Sequence, residues 1–215
     1  MIITIDGPAS SGKSSVANLV SKALGLVHFN SGSIFRGVTA FLMSKQFDVS
    51  TLKEDSIIEP FKVKTEYING IQHVFVNGID FTNNLRDNEV SINTAYVAQC
   101  KFIRNIIDNC QKEFAANNSF VIDGRDTGSF VFPNADYKFY LDCSIKERAK
   151  RRFKEEQQKN PSITLEEIEK QLAKRDEMDK NRKLAPLVIP ENAIIIDSSN
   201  LNLEQVVQEV LKHIK

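Results

Sequence analysis

Residues Ile2-Ile3-Thr4-Ile5 form a short β-branched run, followed at once by Asp6-Gly7-Pro8-Ala9-Ser10-Ser11-Gly12-Lys13-Ser14, which satisfies G-x-x-x-x-G-K-S in full. This is the phosphate-binding P-loop, and it stands where the motif works, between a strand and a helix. Gly7 and Gly12 let the backbone wrap an anion with its N–H groups pointing inward. The helix expected from about Lys13 to Leu24 directs its positive end at the same anion. Lys13 is placed to reach the β- and γ-phosphates of a nucleotide, and the Ser14 hydroxyl to ligate Mg²⁺.

Four apolar runs read as strands of a parallel sheet: Ile2–Asp6, Ser119–Asp123, Lys138–Asp142 and Ala193–Asp197, with a fifth at Leu26–Phe29. Helical patterns lie between them, so the fold class is α/β, a P-loop core with a five-stranded parallel sheet flanked by helices. Ligands of such sheets sit at the carboxyl ends of the strands. Helix starts are marked by Ser144-x-x-Glu147, Thr164-x-x-Glu167 and Asn202-x-x-Gln205, each spaced as a capping box. Leu203 to Ile214 reads as a closing helix.

One segment breaks this rhythm. Lys62–Ile68, Ile71–Val76 and Ile79–Phe81 are short β-rich runs separated by Asn69-Gly70 and Asn77-Gly78. Asn-Gly between such runs is a strong hairpin signal, because a type I′ turn needs positive φ at both central residues. Two in series predict a three-stranded antiparallel insertion, either a mobile subdomain or a surface hairpin.

A chain of 215 residues suits one domain. Its formal net charge of zero argues against a protein that coats nucleic acid or an anionic membrane, so any anion site must be built locally. Cys100, Cys110 and Cys143 form no C-x-x-C pair and read as reduced, buried or half-buried thiols. His28, His73 and His213 show no metal spacing and read as structural or surface residues. No apolar run approaches the ~18 residues of a membrane span. A first strand beginning at residue 2 leaves no room for a signal peptide, and the expected location is cytoplasmic.

The arginines are the second chemical signal. Arg36 follows the second strand, Arg125 follows the third in Asp123-Gly124-Arg125-Asp126-Thr127-Gly128, and Arg148, Arg151 and Arg152 lie on the helix after the fourth. Arg175 and Arg182 close the capped helix. Guanidinium groups stay charged and bind phosphate oxygens in pairs, which suits a site holding several phosphates. Asp123, at the end of an apolar strand, either orients Mg²⁺-bound water or caps a turn. A switch GTPase would need D-x-x-G and N-K-x-D, and the chain contains neither.

Together these segments resemble the bacterial cytidylate kinases, P-loop nucleoside monophosphate kinases. The resemblance runs through the P-loop, Asn30-Ser31-Gly32-Ser33-Ile34-Phe35-Arg36, the double Asn-Gly insertion, the D-G-R-D-T-G segment with F-P-N-A ending at Ala135, R-D-x-x-D-x-N-R over residues 175–182, and Ala185-Pro186-Leu187. It implies a single kinase domain over 1–215, with a monophosphate-binding insertion at about 61–86 and a short helical lid at about 148–162. Implied ATP contacts are Gly7, Pro8, Ala9, Ser10, Ser11, Gly12, Lys13, Ser14, Ser15, Arg151 and Arg152. Ser31, Arg104 and Asp126 match positions that contact cytosine. Arg36, Arg125 and Arg182 match those that hold the acceptor phosphate, and Arg175 and Asp179 those near the pentose hydroxyls. Lys13, Arg125, Arg182 and Arg148 are the residues implied for catalysis, with Mg²⁺ as cofactor held by Ser14 and, through water, Asp123. ATP, CMP and dCMP are the implied partners, with no nucleic acid, no membrane and a monomeric state.

The chemistry of these roles is consistent. A carboxylate accepts from the cytosine amino group, and an arginine donates to its N3 and O2 acceptors. Uracil would turn an unsatisfied carbonyl to that carboxylate, and such mismatches discriminate strongly. No general base stands out, and a loose phosphoryl-transfer transition state requires mainly positioning and charge neutralisation. The chain departs from the family pattern at Asn30, where Asp is usual, at Phe35 for Tyr, at Lys13-Ser14-Ser15 for Lys-Gly-Thr, and at Ala95, where some members carry Ser.

Overall fold

The computed structural model describes residues 1–85, 87–158 and 160–215. Arg86, the last residue of the expected insertion, and Lys159, inside the expected lid range, lie outside the described residues. The chain divides into two compact units, one of residues 1–28, 119–181 and 185–215 and one of residues 29–118 and 182–184.

The first unit carries the parallel sheet. Its strands are β1 (Ile2–Asp6), β2 (Val27–Asn30, whose last two residues enter the second unit), β6 (Phe120–Gly124), β7 (Tyr137–Asp142) and β8 (Ile194–Asp197), in the order β2-β6-β1-β7-β8. Ile5 pairs with Asp123, Asp6 with Gly124 and Tyr140, and Asp142 with Asp197. The expected Asp strand ends therefore line one edge of the sheet. Four of the five strands start or end one residue away from their expected bounds; β6, for example, continues one residue past Asp123, because Gly124 still pairs with Asp6.

Helix α1 (Lys13–Leu24) buries Val16, Ala17 and Val20. They pack in one core with Ile3, Ile5, Val121, Phe139, Leu141 and with Val206, Val207 and Val210 of α7 (Leu203–Lys212). Burying each large aliphatic or aromatic side chain there contributes roughly 1.5–3 kcal/mol. α1 stops at Gly25, φ 65°, where Leu26 N donates to Ser21 O at 2.8 Å, the Schellman arrangement. Helices α5 (Ile145–Glu156) and α6 (Leu165–Asn181) enclose a second small core of Ala9, Ala149, Ile168 and Leu172. Full capping boxes form at Thr164/Glu167 and Asn202/Gln205, while Ser144 accepts from Glu147 N at 3.3 Å.

The second unit contains α2 (Ser31–Ser44), α3 (Asn88–Val97), α4 (Lys101–Ala115) and the antiparallel sheet β3 (Val63–Ile68), β4 (Ile71–Val76) and β5 (Ile79–Asp80). Both expected turns are present. Asn69 and Gly70 have φ of 53° and 76°, and Asn77 and Gly78 have 50° and 80°, as type I′ geometry requires. The meander lies on α2, where the Phe41 ring meets Phe61 at a tilt, centroids 5.7 Å apart, and Phe81 edge-to-face at 6.0 Å. The three cysteines are free and buried. Among the described residues no helix is long and apolar enough to cross a membrane.

Candidate active site

In the first unit the P-loop is held in shape by side chains that arrive from far along the chain. Lys13 is 5 % exposed, and its Nζ donates to Pro8 O and to Ser11 Oγ, which seats the ammonium inside the loop. Burial pushes its pKa well down, and the Arg125 charge pushes the same way against Asp123, Asp6 and Asp179. A desolvated cation under this tension gains from an incoming anion. Ser14 Oγ donates to Asp123 Oδ2 at 2.6 Å, and His28 Nε2 meets Asp123 Oδ1 at 2.7 Å. Burial alone would raise the Asp123 pKa. The His28 and Ser14 hydrogen bonds and the Lys13 charge instead hold it below the ordinary carboxylate value.

Two of the three α5 arginines reach the loop. Arg148, 5 % exposed, donates from Nη1 to Ala9 O at 3.1 Å and from Nε to Cys143 O at 2.9 Å, and Nη2 pairs with Asp176 at 2.7 Å. Asp176 also accepts from Ala9 N at 3.4 Å. Arg151 donates to Ser11 O at 3.3 Å and to Ser198 O at 2.6 Å. Arg152 turns along its own helix, pairing with Glu156 at 2.6 Å and Glu155 at 3.4 Å.

The segment after β6 forms a single wide helical turn over Thr127–Val131. In it Val131 N donates to Asp126 O at 3.2 Å and Phe132 N to Thr127 O at 2.7 Å, the five-residue pattern often found at functional sites. Asp6 anchors that turn. Its carboxylate accepts from Thr127 N (2.9 Å), Thr127 Oγ1 (2.8 Å) and Gly128 N (2.7 Å). Arg125 Nε pairs with Asp179 Oδ2 at 3.0 Å, and Arg125 Nη1 donates to Gly124 O at 3.4 Å. Burial lowers the Arg175 pKa, opposed by the nearby Asp179 charge. Asp126 is itself buried.

Asp6 carries a pH-dependent prediction. Burial outweighs its three donors and pushes its pKa up to about 6. A carboxyl raised in the folded state contributes stability that is complete below its unfolded value near 3.8 and lost as pH rises through about 6. Two pKa units set an upper scale of about 3 kcal/mol. Urea midpoints between pH 4.5 and 7.5 should show wild type losing stability relative to Asp6→Asn across this window. A difference flat with pH would contradict the assignment.

The second unit carries the remaining expected residues. Ser31 is buried at the first turn of α2. Asn30 caps that helix, accepting from Ser33 N at 2.7 Å and from Arg36 Nη2 at 3.2 Å. Arg104, 1 % exposed, donates from Nη1 to Ala98 O at 3.0 Å, and its guanidinium carbon lies 5.3 Å from the Phe35 ring centroid. This is a cation–π contact, and it uses the ring of Phe35 alone. Ala95 is buried in α3, and Arg182, just beyond the end of α6, is half-buried.

Sequence reasoning did not find Asp6, Asp176, Ser198 or the role of His28. His28, read from the sequence as a structural or surface residue, hydrogen-bonds to Asp123. Position at a strand end was the available signal for Asp6. Asp176 stands as the second residue of the R-D-x-x-D-x-N-R segment, and nothing local in the sequence marks Ser198 or the partner of His28.

The sequence model of the family described as Cytidylate kinase matches residues 3–215. A cytidylate kinase of Thermotoga sp. (strain RQ2) is 36 % identical over 213 residues, covering 99 % of this chain and 96 % of its own. One from Clostridioides difficile (strain 630) is 37 % identical over 215 residues, covering 100 % and 98 %. Among solved structures, an uncharacterised protein from Eubacterium ventriosum ATCC 27560 aligns with a TM-score of 0.50 at 14 % identity, covering 100 % of this chain and 98 % of that one, a likeness of fold.

Proposed function

The chain belongs to the cytidylate kinase family, and from that premise we propose that it transfers the γ-phosphoryl group of ATP to CMP and dCMP, forming CDP and dCDP in pyrimidine nucleotide salvage. The observation that carries this reading is the loop itself. Lys13 is buried within it, and Arg148 and Arg151 converge on its Ala9 and Ser11 carbonyls. That is a preorganised cationic seat for a polyphosphate.

Within this reading the loop 7–15 with Arg151 binds ATP, and Lys13 neutralises charge developing on the transferred phosphoryl group. Arg152 joins them as the outer arginine of α5. Arg36, Arg125 and Arg182 orient the acceptor phosphate for in-line attack. Arg148 acts through Ala9 and Asp176, which hold the loop. Arg104, Ser31 and Asp126 read the cytosine, and Arg175 and Asp179 face the pentose. Residues 61–86 serve as the monophosphate-binding insertion and 148–162 as a lid that excludes water.

Ser14 Oγ and the Asp123 carboxylate, 2.6 Å apart, are hard oxygen donors suited to Mg²⁺. That ion typically takes one or two protein oxygens beside substrate phosphates and water. Bound with ATP, the metal neutralises charge on the β- and γ-phosphates. The protein works as a cytoplasmic monomer with no nucleic-acid or membrane partner.

The test is initial-rate transfer from Mg-ATP to CMP, dCMP, UMP, AMP and shikimate. CMP and dCMP should exceed UMP by about two orders of magnitude or more in kcat/KM, because uracil leaves the carboxylate's partner position unsatisfied. Preference for another acceptor would discard the cytosine reading. Transfer to none would discard the kinase.

A further inference from the structure

Gln72 of β4 ties the antiparallel meander of the second unit to Asn30, the residue that caps α2. Asn30 N donates to Gln72 Oε1 at 2.7 Å, and Gln72 Nε2 donates to Asn30 O at 3.3 Å. The amide thus meets both backbone groups of one residue, as a neighbouring strand would. Its orientation is determined by chemistry, since reversing oxygen and nitrogen would set donor against donor and acceptor against acceptor.

Asn30 is the hinge of a short relay. Its backbone is held by Gln72 in an extended conformation, φ −95° and ψ 101°. Its side-chain Oδ1 accepts from Ser33 N (2.7 Å), Ser33 Oγ (2.9 Å) and Arg36 Nη2 (3.2 Å). Ser31, the next residue, begins the helix. Gln72 therefore reaches through Asn30 to two residues read as substrate-binding, although it is 42 positions away from Asn30 in the chain.

We propose that Gln72 is a positioning residue for the acceptor nucleotide, a clip by which the meander sets the Asn30 backbone and, through it, Ser31 and the Arg36 guanidinium. The proposal rests on the acceptor-binding reading of Ser31 and Arg36. The packing of the meander on α2 is thereby transmitted to the acceptor side through one bidentate amide. The β4 position supplies the reach, because Gln72 lies next to the Asn69-Gly70 turn and its register is pinned opposite Tyr67.

The test compares wild type with Gln72→Met, which keeps the length and removes both hydrogen bonds, and Gln72→Glu, which keeps the acceptor and turns a carboxylate toward Asn30 O. Arg36→Ala is the reference for the acceptor site. Both Gln72 variants should raise KM for CMP about fivefold or more, as expected for the loss of the half-buried amide pairing, and leave KM for ATP within about twofold. Amide hydrogen exchange at Asn30 should accelerate in Gln72→Met while the α1 amides stay protected. KM for CMP within about twofold of wild type in both variants would overturn the proposal, and so would equal rises for CMP and ATP, which mark general loosening. If Arg36→Ala raises KM for CMP and the Gln72 variants do not, only the clip falls. If Arg36→Ala leaves KM for CMP unchanged, the acceptor reading falls and the clip with it.

Discussion

Arg125→Ala should lower kcat for transfer to CMP by roughly 10²–10³-fold, about 3–4 kcal/mol of transition-state stabilisation, by analogy with removing other preorganised donors. The guanidinium is held before any reaction begins, with Nε on Asp179 Oδ2 at 3.0 Å and Nη1 on Gly124 O at 3.4 Å. A group already fixed costs no reorganisation when charge develops on the phosphoryl oxygens, so its loss appears mainly in kcat. Arg125→Lys should recover little, because an ammonium cannot fork between a carboxylate and a phosphate. The variant also removes a cation from beside Asp179, whose side chain is 5 % exposed, so unfolding should be measured in parallel to separate chemistry from stability. Near-normal kcat and KM for CMP in folded Arg125→Ala protein would remove the residue from the catalytic set.

Gly7→Ala should cost about 3 kcal/mol or more of folding stability, among the larger effects a single methyl group can have. At Gly7 φ is +150°, and an added Cβ would lie 2.2 Å from Leu141 O, the backbone carbonyl of the adjoining strand β7. Backbone cannot rotate aside as a side chain can, so either β1 and β7 part or the P-loop deforms. Gly25→Ala is the matched control. Gly25 has φ +65° with nothing within 4 Å of the added Cβ, and the substitution should cost only about 1 kcal/mol from backbone strain. Urea unfolding of both variants separates collision from conformation. A Gly7→Ala protein no less stable than Gly25→Ala would show that the strand ends are not packed as described.

The features readable along the chain are those whose physical cause spans a few residues. The P-loop is legible because two glycines, a lysine and a hydroxyl act within one turn between β1 and α1. Helix α1 matches its expected bounds, Lys13–Leu24. The meander is legible because type I′ turns demand positive φ, and Asn69-Gly70 and Asn77-Gly78 supply it. The boxes at Thr164 and Asn202 form for the same local reason.

Partnerships across the fold are different in kind. Asp6 holds Thr127 and Gly128 across 121 and 122 positions, His28 meets Asp123 across 95, and Arg148 reaches Ala9 across 139. Each depends on the register of a parallel sheet or on how α5 and α6 lie beside the loop. Arg148, Arg151 and Arg152 look alike in sequence. In the fold the first is buried on Ala9 and Asp176, the second reaches Ser11 and Ser198, and the third pairs along its own helix. Local sequence suffices for the phosphate-binding loop, the parallel α/β order and the tandem hairpin, because hydrogen bonding, φ preference and periodicity act over a few residues. Long-range packing selects which carboxylate holds which arginine, which carbonyls receive Arg148 and Arg151, and the grip of Gln72 on Asn30. Those choices depend on burial and strand register, which bring distant side chains within about 3 Å of one another, the distance at which a hydrogen bond forms.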